Sequence, residues 1–138
     1  MRKRPVLYII GCIIVISVVC IAMLYNKPHR KAENEKGIAI TAPALCQAYQ
    51  ANENSANAQY LNKTLQVTGK VNNIKTNQDG ATVAELEGDN GLVVLCTMRN
   101  KKENVTASAN VTVKGFCSSN TMLDVLLTDC ILIIGKDN

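Results

Sequence analysis

The chain contains no tryptophan, one phenylalanine and one histidine among its 138 residues. The histidine, His29, stands in a charged stretch ahead of the region that reads as a folded domain. That domain therefore lacks an imidazole, the commonest general base and a frequent zinc ligand. The six cysteines show no CxxC-type spacing, which argues against a zinc site or a dithiol redox motif. No glycine-rich segment runs into GK[ST]; Gly88-Asp89-Asn90-Gly91 reads as a hairpin turn, not a phosphate cradle. Ser118 and Ser119 have no sequence partner for nucleophilic chemistry. Glu85 and Glu87 share one strand face, where solvated carboxylates are commoner than a catalytic dyad. Asp79, Asp89, Asp124 and Asp129 lack the regular acidic spacing of a calcium loop. Taken together, these absences predict a non-catalytic chain without metal or cofactor.

What is present begins with residues 6–24, an uncharged run that follows Met-Arg-Lys-Arg-Pro. About 20 apolar residues at ~1.5 Å each span the ~30 Å core of a bilayer. A cleaved signal peptide has a shorter apolar core, about 7–15 residues, and ends at a small-x-small site. This run ends in Met23-Leu24-Tyr25-Asn26-Lys27, without one. Lipidation fits neither cysteine of the run. Cys12 closes too short an apolar stretch, and Cys20 follows Val19 where a small residue is wanted. The run therefore predicts an uncleaved signal-anchor. Arg2, Lys3 and Arg4 on one side, against Lys27, Arg30 and Lys31 diluted by Glu33 and Glu35 on the other, favour a cytoplasmic N-terminus. The remainder then lies outside the cytoplasm, held to the membrane by a single pass.

The net charge of +4 belongs to the flanks of that run. Residues 1–36 hold seven Lys/Arg and two Glu, and residues 37–138 hold eight Lys/Arg and nine Asp/Glu. The domain is thus slightly acidic, which does not suggest a nucleic-acid surface. Composition divides the chain into flank and anchor (1–25), a polar linker (26–41) and one domain of ordinary size (42–138). Cys46, Cys96, Cys117 and Cys130 fall in the domain. Outside the cytoplasm they form up to two disulfides, or stay buried as small apolar side chains.

Within the domain, Thr41 is placed to cap a helix with Pro43 in its first turn. Leu45, Ala48, Tyr49, Asn52, Ala56 and Tyr60 then recur at spacings of three and four, which predicts one amphipathic helix over 42–60. Asn52 interrupts the apolar stripe, as a satisfied polar group at the edge of a core does. From Lys63 the period becomes two. Leu65, Val67, Gly69 and Val71 form one strand face, and Gly69 marks a bend or close approach. A turn at 77–80 leads to a strand over 81–87 that aligns Val83 with Ala81 or Glu85, and the turn at 88–91 leads to an apolar strand over 92–98. Residues 99–109 connect, with room for one short helix. Val111, Val113, Gly115 and Cys117 share a face of the fourth strand. Ser118-Ser119-Asn120 turns the chain into a last strand over 122–134, with Asp124 and Asp129 outward or at bulges. One helix followed by five short strands predicts a mainly β protein closed as a small barrel.

The series Tyr49-x-x-Asn52-Glu53-x-x-Ala56-x-x-x-Tyr60, Lys63-x-x-x-Val67-x-Gly69-x-Val71-x-x-Ile74, Val94-x-Cys96, Val111-x-Val113-x-Gly115-x-Cys117 and Asp124-Val125-x-Leu127-x-x-Cys130-x-Leu132 covers about 90 residues. In this order it resembles the tRNA-anticodon-binding-like family, small OB-fold proteins of bacterial envelopes. The resemblance implies a five-stranded OB barrel with an added N-terminal helix. It assigns no role to the motif positions Asn52, Glu53, Gly69, Gly115, Cys117 and Asp124. It also implies that the third strand lies beside the fifth, which makes Cys96 and Cys130 the candidate disulfide. The family name implies nucleic acid. OB-folds that hold single strands use a basic groove and stacked aromatics, whereas the aromatics here are Tyr49, Tyr60 and Phe116, two of them on the helix stripe. The expected partner is therefore a protein, peptide or glycan, with nucleic acid or nucleotide binding as the alternative.

Overall fold

The computed structural model describes residues 4–25, 30–121 and 124–133. Arg2 and Lys3 of the basic flank, Lys27 and His29 of the expected linker, and Met122 and Ile134 at the ends of the expected last strand lie outside the described residues. The chain divides into two units, Met1–Arg30 and Lys31–Asn138.

The first unit is one helix, α1 (Arg4–Tyr25). Its window Tyr8–Tyr25 has a mean hydropathy of 2.7 and is long and apolar enough to cross a membrane. The one serine within that window, Ser17, bonds back to the carbonyl of Ile13 at 2.9 Å, so its hydroxyl donor is satisfied within the helix.

The second unit starts with a short 3-10 turn, Ala32–Asn34, and β1 (Ile38–Thr41). Both lie in the segment that reads as linker, and Ala32 is fully buried. Nothing local in the sequence marks a strand so short. It forms because its backbone pairs parallel with a longer strand, Ile38 opposite Leu65 through Thr41 opposite Thr68. Then come α2 (Ala42–Ala51) and α3 (Glu53–Tyr60). Thr41 caps α2 as expected, its Oγ1 accepting from the Ala44 N–H at 3.3 Å. The single helix over 42–60 is two. Asn52 adopts an extended conformation, ends α2 through its N–H to the Ala48 carbonyl, and starts α3 by accepting from the Ser55 N–H at 2.9 Å. Asparagine competes with helical hydrogen bonds in this way, which is why it favours caps over helix interiors.

Five strands follow: β2 (Thr64–Thr76), β3 (Thr82–Glu87), β4 (Val93–Met98), β5 (Asn110–Asn120) and β6 (Asp124–Ile133). They close a mixed barrel in the order β2-β3-β4-β6-β5 and back to β2, with β1 added beside β2. β2 serves two ladders. Thr64 to Lys70 pair with β5, and Val71 to Thr76 pair with β3. Gly69 sits at this changeover; a Cβ there would come within 2.9 Å of the Ala42 Cβ, so glycine lets α2 approach the strand. β4 and β6 pair in parallel, as expected for the third and fifth barrel strands. This is a five-stranded OB-like barrel carrying short N-terminal helices.

Leu65, Val67, Val71, Val94, Val113, Val125 and Leu127 fill the barrel. Leu45, Tyr49, Ala56 and Tyr60 press the helices onto the same core. In β3 the core side chains are Ala84 and Leu86, and Val83 faces outward with Glu85. The register explains this: a bulge at Asn72 sets Leu86 opposite Val71 and Ala84 opposite Ile74. Ser118, Ser119 and Asn120 belong to β5 instead of forming the turn. The connection 99–109 contains turns and no helix.

Candidate ligand-binding face

The outward side of β2, β3 and β4 carries Asn73, Lys75, Val83, Glu85, Val93, Leu95 and Thr97, continued on β6 by Leu126. Glu85 is 9% exposed and forms an ion pair with Lys75. Around that pair, Val83, Val93, Leu95 and Leu126 are half-buried. Among the described residues no aromatic ring stands on this side. Tyr49 and Tyr60 pack against each other beneath the helices, ring centroids 6.3 Å apart, and Phe116 is half-buried on β5 opposite Thr64.

A second feature borders this face. The connection 99–109 is held against β2 and β3. The Thr82 hydroxyl donates to the Lys101 carbonyl at 2.9 Å, and the Val71 N–H and carbonyl bond to Ala109 and Ser108. Exposed Lys101 and Lys102 therefore lie near the start of β3, which pairs with the end of β2 that carries Lys75. Lys75 is committed to its ion pair with Glu85. Lys63 donates to the Ala58 carbonyl and Lys114 to the Glu33 carbonyl.

The motif positions occupy scattered places. Asn52 joins the helices and exposed Glu53 starts α3. Gly69 admits α2, and Gly115 faces the Cys130 sulfur, 2.5 Å from where a Cβ would stand. Cys117 lies in the core with its Sγ 3.4 Å from the Tyr49 hydroxyl. The Cys96–Cys130 bridge expected from the resemblance is not formed: all four domain cysteines are buried free thiols, and the register sets Cys130 opposite Met98, not opposite Cys96. Asp124 opens β6, exchanging backbone and hydroxyl bonds with Thr121. Asp89 and Asn90 of the turn at 88–91 are held to Gln47 and Gln50 of α2. Among the described residues no three His, Cys, Asp or Glu side chains come together as a metal site.

The sequence did not reveal an ion cluster at Asp129. Asp129 has φ +54° and is the extra residue of a bulge in both of β6's ladders. Its carboxylate takes two hydrogen bonds from Arg99, at 2.6 and 2.7 Å, while Arg99 also binds Glu33 at 2.9 Å. The Ala32 N–H donates to the same carboxylate. The Arg99 guanidinium holds the Asp129 carboxyl below the usual carboxylate range, against the opposing effect of burial. Asp129 raises Arg99 in return. This cluster, with Thr64 donating to Glu35 at 2.7 Å, fastens residues 32–35 to the barrel. Its members stand 30 to 97 residues apart, so no local pattern announces them.

The closed mixed barrel with a parallel β4–β6 pair defines an OB-like fold. The tRNA_anti-like family profile matches residues 1–131, and the chain belongs to that family. Among solved structures, it is similar to the crystal structure of a putative nucleic acid-binding lipoprotein from Klebsiella pneumoniae subsp. pneumoniae MGH 78578. The TM-score is 0.59 at 14% identity, over 71% of this chain and 92% of that one, a likeness of fold. No curated protein sequence matches the chain.

Proposed function

We propose that this chain is a membrane-tethered, non-catalytic OB-fold binding module, anchored by α1 with the barrel outside the cytoplasm. The observation that carries the reading is an OB-like barrel with a half-buried apolar outward side, joined in one short chain to a helix of membrane-spanning length. The ligand has two readings, each with its own support. Single-stranded nucleic acid is favoured by the family and by the likeness to the putative nucleic acid-binding lipoprotein of Klebsiella pneumoniae. Exposed Lys101 and Lys102 would supply phosphate contacts. A polypeptide or glycan is favoured by the half-buried apolar side chains around Leu95 and by the missing rings, since ring stacking gives sequence-tolerant affinity for bases.

A salt titration decides between them. Full-length protein in detergent is mixed with fluorescent single-stranded DNA or RNA, and anisotropy is followed between about 50 and 200 mM salt. Nucleic-acid binding requires an affinity that falls steeply with salt and weakens again in the Lys101→Ala/Lys102→Ala variant. Absence of binding at the low-salt end rejects that reading and leaves the polypeptide or glycan.

A further inference from the structure

Beyond Glu85, the outward side of the barrel carries two further carboxylates. Glu87 of β3 pairs with Val93 of β4, and Val93 pairs with Asp124 of β6. The next pair along, Val94 with Val125, is fully buried, so Val93 and Asp124 face outward. Leu86, beside Glu87, is buried as well, which turns Glu87 to the same side. One row across three strands therefore reads acid, valine, acid. Neighbouring strands lie about 4.8 Å apart, so the outer two Cα atoms stand roughly 10 Å from each other. Glu87 is exposed, and Val93 and Asp124 are half-buried. Among the described residues neither carboxylate enters an ion pair. Lys75, the one lysine that the β2–β3 register places on this side, is already taken by Glu85. The next outward row is apolar, Leu95 beside Leu126, both half-buried.

We propose that this side of β3, β4 and β6 is a docking surface for a basic polypeptide, and that Glu87 and Asp124 select it. The proposal rests on the polypeptide reading of the ligand given above and narrows it. Charge complementarity names the occupant. Two carboxylates without a cation repel a phosphate chain at this end of the face and attract an ammonium or guanidinium group. A lysine or arginine side chain fits the whole row: its methylenes cover Val93 while its charged head lies between the acids. An apolar side chain of the same ligand then covers Leu95 and Leu126, one row further on. Outward rows repeat every second residue, about 6.7 Å apart. Alternate side chains of an extended peptide have the same spacing, so a cation and an apolar residue two positions apart reach both rows together. A neutral glycan supplies no such cation.

Fluorescence anisotropy on the full-length protein in a neutral detergent tests this. Three labelled probes of equal length are compared: a peptide of repeating Lys-Thr-Val-Thr, a peptide of repeating Glu-Thr-Val-Thr, and an oligo-dT single strand. The basic peptide is expected to bind, more tightly at about 50 than at about 200 mM salt, and the acidic peptide to stay free. Glu87→Gln/Asp124→Asn should weaken the basic peptide by about three- to tenfold, the scale of two ion pairs near the surface. Glu87→Gln alone, at the exposed position, should already account for part of that loss. Equal binding of the two peptides, binding indifferent to both variants, or no binding of the basic peptide at low salt overturns the proposal. Preference for the acidic peptide also overturns it, and leaves the polypeptide reading standing. Salt-dependent binding of oligo-dT in place of the basic peptide overturns both.

Discussion

Gly115 and Asp129 show how far single positions shape this barrel. Gly115 is the single β5 residue set against the bulged pair Asp129 and Cys130, and a Cβ on it would sit 2.5 Å from the Cys130 Sγ and 3.0 Å from the Thr128 carbonyl oxygen. Gly115→Ala should therefore destabilise the protein by about 1–3 kcal/mol through overpacking. Adding Cys130→Ala should recover part of the loss, because one of the two clashes disappears; urea denaturation of both variants measures it. Asp129 makes a pH prediction. Its folded pKa lies below the unfolded value of 3.8, so its contribution is present above that value and fades as pH falls through the folded pKa. Asp129→Asn retains a residue type that tolerates φ +54°, removes the charge and replaces one of the two oxygens that accept from Arg99 by a donor. It should cost about 1–2 kcal/mol at neutral pH. It should also flatten the acid limb of stability below pH 3.8, as chemical denaturation across that range would read.

At the scale of elements, α2 is where periodicity and packing agree best. Its capping threonine, its proline and the Leu45 and Tyr49 positions are local signals, and all of them appear in the structure. Leu45 is fully enclosed against the barrel. Leu45→Asp loses about 1.5–3 kcal/mol of apolar burial and adds the larger cost of enclosing a carboxylate. The expected outcome is loss of cooperative unfolding by circular dichroism; an unchanged melting temperature would mean the helix is not part of the core. The break at Asn52 was harder to foresee, because the apolar spacing continues across it and both halves bury residues on one stripe. In β3 periodicity alone could not tell Val83 from Ala84 as the inward residue. Alternation defines two faces and leaves open which of them meets the core.

For the whole molecule the testable quantity is topology. The apolar helix near the N-terminus and the basic flank predict that the barrel lies outside the cytoplasm. A reporter active only outside the cytoplasm, fused to the C-terminus of the full chain, should be active. Activity of a cytoplasmic reporter in its place would reverse the orientation.

The apolar N-terminal helix, the α2 cap, the alternation of β2 and β5 and the barrel class were legible from the sequence, because each rests on contacts between near neighbours or on a repeating period. A bulge at Asp129 was one of two placements that the sequence left open, whereas the bulge at Asn72, the short strand β1 and the Arg99 cluster were decided by the tertiary structure alone. A bulge depends on which strand lies opposite, and β1 exists only while β2 supplies its hydrogen-bond partners. The Arg99 cluster needs charges from three distant segments brought within about 3 Å. The same limit applies to the binding face. Apolar residues from 83 to 126 carry no common sequence signal, and it is the closed barrel that sets them on one face.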